Sequence, residues 1–142
     1  MDGACPGNGT PDAKAGMGVF WGDGHDENIG HPASRATNNV AEIEAAIHAI
    51  KTAQAYGIDS LDIISDSKYV MNCVLTWIPK WVQNGWRTFE DTPVQNREEL
   101  EELDKVKSEI LIKWTHVKGH SGIYGNDQAD ALAKEGASKY VQ

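Results

Sequence analysis

The feature that most constrains this chain is a long amphipathic segment, Asn38 to Ala55, followed closely by a short apolar run, Leu61 to Ser65. In the first, Val40, Ile43, Ile47 and Ile50 recur at helical spacing and make one apolar face. Thr37 or Asn38 can cap its start, and Gly57 ends it. The second is rich in β-branched residues and suits a buried strand. A helix that hands over to a buried strand implies a layered α/β architecture.

The rest of the chain fits that frame. Residues 3–15 are rich in Gly, Pro, Asn and Asp and read as a loop. Ala15 to Gly22 alternates like a strand, Asp23-Gly24 marks a turn, and Asn28 to His31 can return as a partner strand. Asp66-Ser67 opens a second helix with Tyr69, Val70, Cys73 and Val74 on its inner face. Trp77 to Trp86 is broken by Pro79 and Gly85, which predicts short helical turns and a loop. Glu98 to Val106 reads as a charged helix and Leu111 to Val117 as a strand. Asn126 to Tyr140 closes the chain as a helix with Ala129, Leu132, Ala133 and Ala137 facing inward. The prediction is one mixed α/β domain over residues 1–142, with no repeat, linker or low-complexity tract.

Composition narrows the function classes. The hydrophobic share of 40% supports a real core. A mean hydropathy of -0.48 and the lack of a long apolar run argue against a membrane span. The start, Met1-Asp2-Gly3-Ala4, has no basic stretch followed by an apolar one. Cys5 and Cys73 read as reduced thiols. Together these give the expectation of an intracellular protein, with no compartment distinguished. The net charge of -8 is the wrong sign for phosphate binding. By itself it favours an acidic protein with a solvated surface; the sharper alternative is that some of the acids form a cation site.

Four carboxylates stand where such a site is built: Asp2 before the glycine-rich loop, Glu42 in the early turns of the long helix, Asp66 at the end of a buried strand, and Asp130 on the last helix. Sites in open α/β sheets gather at strand ends, and hard divalent cations prefer oxygen ligands. Each acid also has a plain alternative. Asp66 can cap a helix, Glu42 can favour a helix N-terminus, Asp130 can be a solvated helix residue, and Asp2 can be loose terminal chain. Their spacing decides nothing; only a fold that brings them together makes a site.

Five segments, in this order, resemble the catalytic domain of type 1 ribonuclease H: DGACPGNG at 2–9, TNNVAEIEA at 37–45, SDSKYV at 65–70, WIPKWVQNGW at 77–86 and HVKGHSGIYGNDQADALA at 116–133. The resemblance implies a ribonuclease H-like fold, a five-stranded mixed sheet flanked by helices, with its first strand truncated here. It implies a metal-dependent endonuclease that hydrolyses the RNA strand of RNA–DNA hybrids. Asp2, Glu42, Asp66 and Asp130 are then the catalytic, metal-holding carboxylates for two Mg2+ ions, with Mn2+ as a substitute. His120 matches a catalytic histidine of a mobile loop, and His116 a structural one. Asn8, Asn38 and Asn39 match positions that contact the hybrid near the cut. Arg35, Thr37 and Asn96 match a pocket for a DNA-strand phosphate, and Trp77 and Trp81, with Trp86, a DNA-strand channel in which at least one tryptophan is mainly structural. The expected partner is an RNA–DNA hybrid, bound by a monomer.

Two departures qualify the expectation. Only Met1 precedes Asp2, whereas the family pattern has several apolar residues there. The alternative expectation is a catalytically impaired, hybrid-binding form. The segment after the tryptophans carries Glu90 and Asp91 against few basic residues, Lys80, Arg87 and Arg97, which predicts weak, salt-sensitive binding. A related exonuclease or transposase-like enzyme is the third reading, and the asparagines and the HVKGHSG loop speak against it.

Overall fold

The computed structural model describes residues 1–88, 94–119 and 122–141. Its strands are β1 (Asp2–Ala4), β2 (Gly16–Val19), β3 (Ile29–Pro32), β4 (Ser60–Ser65) and β5 (Leu111–His116). Its helices are α1 (Asn38–Ala55), α2 (Lys68–Asn72), α3 (Ile78–Gln83), α4 (Arg97–Lys107) and α5 (Tyr124–Ser138). A π-helical stretch, Cys73–Trp77, joins α2 to α3. The short helical turns predicted there are present, but Pro79 does not break the chain: helical backbone continues from the π-helical stretch through the proline, which stands in the first turn of α3.

The five expected strands are present in mixed orientation. β1, β2 and β3 pair antiparallel, with Asp2 opposite Gly18 and Gly18 opposite Gly30. β4 and β5 pair in parallel, ending with Ser65 opposite His116. The two ladders meet where the Met1 ammonium donates to the Ile64 carbonyl at 3.1 Å. The spatial order is thus β3-β2-β1-β4-β5, with the β1–β4 seam narrowed to that contact. Beside it opens a cleft of about 200 Å³, between Val19, Phe20 and Trp21 on one side and Leu61 to Ile64 on the other. β1 begins at Asp2 and runs on into the stretch predicted as loop, because Gly3 and Ala4 take ladder positions opposite Met17 and Gly16. β2 is shorter than the predicted strand. The Trp21 N–H leaves the ladder and donates to Asn28 Oδ1 at 2.6 Å.

α1 is the central element of the core. Val40, Ile43, Ala45, Ala46, Ile50 and Ala53 on it are fully buried, and it packs against α4 through Leu100 and Leu103. Its start is capped as expected, with Thr37 Oγ1 accepting from the Val40 N–H at 3.2 Å. α5 covers the other face of the antiparallel ladder, and here the approach is unusually close. A Cβ on Gly18 would lie 2.2 Å from the Ala129 carbonyl oxygen, and one on Gly30 would lie 2.3 Å from that of Leu132. With Ala129, Ala133 and Ala137 buried on its inner side, α5 lies directly on strand backbone. That contact fixes Asp130 relative to β1.

Candidate active site

The four predicted carboxylates converge. Oxygens of Asp2, Glu42 and Asp66 all lie within 4.8 Å of one another. Asp130 joins them from α5, close enough that it and Asp66 both act on the ionisation of Asp2. Each comes from a different element, β1, α1, the end of β4 and α5, which is why sequence spacing carried no signal.

The plain alternatives fail on geometry. Asp2 is an ordered strand residue, 3% exposed, and its Oδ1 accepts the Gly3 N–H at 2.9 Å. Glu42 is 4% exposed, so it is not a solvated charge near a helix start. Asp66 does not cap α2, whose N-cap position is Ser67 without a side-chain cap bond. Its carboxylate instead accepts from Asn126 Nδ2 at 3.2 Å. Asp130 is half-buried and pairs with Lys134, Oδ2 to Nζ, at 2.9 Å.

Burying acids together has an electrostatic consequence. Desolvation, opposed in part by its hydrogen bond with Glu42, pushes the Asp2 carboxyl from an ordinary 3.8 up to about 7; the charges of Asp66 and Asp130 add to the rise. Glu42 is raised well above its ordinary range, by burial first and by the Asp2 charge second. Its Oε2 is buried without a hydrogen-bond partner. The nearby Met1 ammonium is lowered by burial, against the attraction of Asp2, Glu42 and Asp66. A cluster of oxygens that repel one another, with one oxygen left unsatisfied, fits a hard divalent cation.

Several positioning contacts were not legible in the sequence. Asn126, 3% exposed, reaches from α5 to Asp66. A Cβ on Gly3 would lie 2.6 Å from the Glu42 nitrogen, so the glycine lets β1 press onto α1 and brings Asp2 to Glu42. A Cβ on Gly119 would lie 2.8 Å from Asp66 Oδ2. The His116 Nε2–H donates to the Asp66 carbonyl at 3.2 Å, which ties β5 to the site. His120 lies outside the described residues, as do Glu90 and Asp91.

The predicted substrate residues form two groups. Asn8, Thr37, Asn38, Asn39 and Asn96 line one pocket of about 340 Å³, and Asn8 Oδ1 accepts the Asn38 N–H at 3.2 Å. Arg35 is next to it, donating to Asn96 Oδ1 at 3.2 Å, but its guanidinium also donates to Glu99 at 2.6 Å. The predicted phosphate cation is therefore already paired, because α4 presents Glu99 toward it. Trp77, Trp81 and Trp86 form a stack, with Trp81 centroids 6.2 Å from each neighbour. Trp81 and Trp86 pack against the core, whereas Trp77 is 46% exposed with Lys80 over its ring. The structural tryptophans are therefore Trp81 and Trp86.

The RNase H family model matches residues 1–138. Mouse Ribonuclease H1 is 45% identical over 139 residues, which cover 97% of this chain and 49% of that protein. The chain thus spans about half the length of this relative. Ribonuclease H of a Cyanothece strain is 38% identical over 133 residues, covering 94% of this chain and 83% of that protein. The crystal structure of LC9-RNase H1, described as a type 1 RNase H with the type 2 active-site motif, superposes with a TM-score of 0.81 over 99% of this chain and 71% of its own. At 23% identity it speaks for the fold alone. With the carboxylate cluster in place at the junction of β1, α1, β4 and α5, these matches establish that the chain belongs to the ribonuclease H family.

Proposed function

We propose that this chain is a divalent-cation-dependent endonuclease that hydrolyses the RNA strand of RNA–DNA hybrids. The observation that carries the reading is the approach of Asp2, Glu42 and Asp66 oxygens within 4.8 Å, in a site where Glu42 Oε2 is otherwise unsatisfied. These three, with Asp130, would hold two Mg2+ ions, which supply an activated water and neutralise charge on the scissile phosphate. The protein's own contribution is to fix the ligands. β1 and α1 hold Asp2 and Glu42, and Asn126 and His116 orient Asp66.

Selectivity for RNA needs contacts to a 2′-hydroxyl. Asn8, Asn38 and Asn39 gather donors and acceptors in one pocket, suited to that group. Arg35, Thr37 and Asn96 at its edge would take a phosphate of the DNA strand, with Glu99 competing for Arg35. That competition, and a net charge of -8, favour weak and salt-sensitive binding. Trp77, half-exposed and stacked on Trp81, would meet a deoxyribose with its ring as Lys80 moves from over it. His120 is assigned to proton movement or product release, for which an imidazole is suited at neutral pH.

The test is cleavage of an end-labelled RNA–DNA hybrid in Mg2+ or Mn2+, with double-stranded RNA and DNA as controls. Internal cuts confined to the RNA of the hybrid are expected, lost in Asp66→Asn. Cleavage that survives this substitution refutes the assignment. Hybrid binding with no cleavage by the wild-type chain points to the impaired, binding-only form.

A further inference from the structure

Lys134 sits on the edge of the carboxylate cluster. Its Nζ is 2.9 Å from Asp130 Oδ2, one turn along α5. On an isolated helix such a pair is an ordinary surface contact. Here two features give it a consequence. First, α5 has no freedom to retreat, because its backbone lies directly on Gly18 and Gly30, so the Asp130 backbone is held beside the cluster while the lysine side chain is exposed. Second, that side chain lines a pocket of about 380 Å³ with Asp12 and Lys14. A displaced ammonium has room there, and a carboxylate to approach.

We propose that Lys134 is a built-in competitor for the cation at Asp130, neutralising this carboxylate until a divalent ion displaces it and so setting the ion concentration at which the cluster fills. The inference rests on the reading of the four carboxylates as a cation site. It assigns Lys134 a positioning role, exerted through Asp130 rather than on substrate. An oxygen already 2.9 Å from an ammonium presents less unbalanced charge to an incoming ion. Removing the ammonium should therefore tighten ion binding, the opposite of what losing a merely structural contact would do.

The experiment is calorimetric titration of Mn2+ and of Mg2+ into the whole chain without nucleic acid. It compares wild type, Lys134→Gln, Lys134→Arg, Asp130→Asn and the double variant Lys134→Gln/Asp130→Asn. Lys134→Gln should bind about two- to fivefold more tightly, the range that exposed ion pairs span. Lys134→Arg, which keeps the charge, should stay near wild type. The gain should vanish in the Asp130→Asn background, as a coupled pair requires. Unchanged or weaker binding by Lys134→Gln, with a cooperative thermal transition intact, overturns the proposal, and so does a gain that persists without the Asp130 carboxylate. If wild type binds neither ion, the cation-site reading falls with it. If wild type binds and only the lysine variants are inert, the competitor role alone is lost.

Discussion

In the presence of a chelator, Asp2→Asn should stabilise this protein at neutral pH while leaving it nearly unchanged near pH 4. Asp2 is 3% exposed, and its carboxyl is moved from 3.8 to about 7 by burial and by the neighbouring acids. The folded protein therefore binds a proton that the unfolded chain releases above about pH 4. Stability gained from the protonated form is fully present below 3.8 and is lost progressively as pH rises toward 7. At about 1.4 kcal/mol per pH unit, ionising Asp2 in the folded state costs about 4 kcal/mol by pH 8. Asparagine is nearly isosteric and can still accept the Gly3 N–H, so the substitution removes the charge with little change in packing. It also relieves Glu42, whose carboxyl is raised in part by the Asp2 charge. In a domain of this size about 1 kcal/mol moves Tm by roughly 3–5 °C, so the variant should melt roughly 10 °C or more above wild type at pH 8. The assay is thermal denaturation followed by circular dichroism from pH 4 to 8.5, in EDTA and in 10-fold steps of Mg2+. The order should reverse at high Mg2+, where wild type gains stability by mass action and the variant loses a ligand. If the chelated wild type becomes more stable between pH 5 and 7, or the gap to Asp2→Asn fails to widen over that range, the electrostatic reasoning is wrong.

Four further outcomes follow from the packing. Gly18→Ala should destabilise by about 1–3 kcal/mol or more in urea denaturation, because its Cβ would meet the Ala129 carbonyl at 2.2 Å and push α5, with Asp130, off the sheet. Trp86→Ala should cost about 2 kcal/mol through lost contact with the core. Trp77→Ala should lower the urea midpoint less than Trp86→Ala and weaken hybrid binding in a filter or fluorescence assay, since its ring is half-exposed and outside the core. Asn126→Ala removes the Nδ2 donor to Asp66, and should lower the cleavage rate about tenfold, with far-ultraviolet circular dichroism unchanged.

The sequence by itself determined the order and type of nearly every element. α1 begins and ends where Thr37 and Gly57 predicted, because capping and a 3.6-residue apolar period are local properties. The inner faces of α2 with the π-helical stretch after it, and of α5, were readable for the same reason: Val70, Cys73 and Val74, like Ala129, Ala133 and Ala137, are buried as expected, while Tyr69 and Leu132 are half-buried. The motif segments also named the four acids. The structure alone decided that these acids meet, since they arrive from four elements and no short-range rule links residue 2 to residue 130. It also decided what surrounds them. Asn126 touching Asp66, Gly3 admitting Glu42, and Glu99 already holding Arg35 are contacts between residues far apart in the chain. The joining of the two ladders at Met1 and Ile64, and the close seat of α5 on Gly18 and Gly30, have the same origin. Periodicity and capping act over a few residues and are written in sequence. Distances between carboxylates, and the proton affinities that follow from them, exist only once the layers have packed.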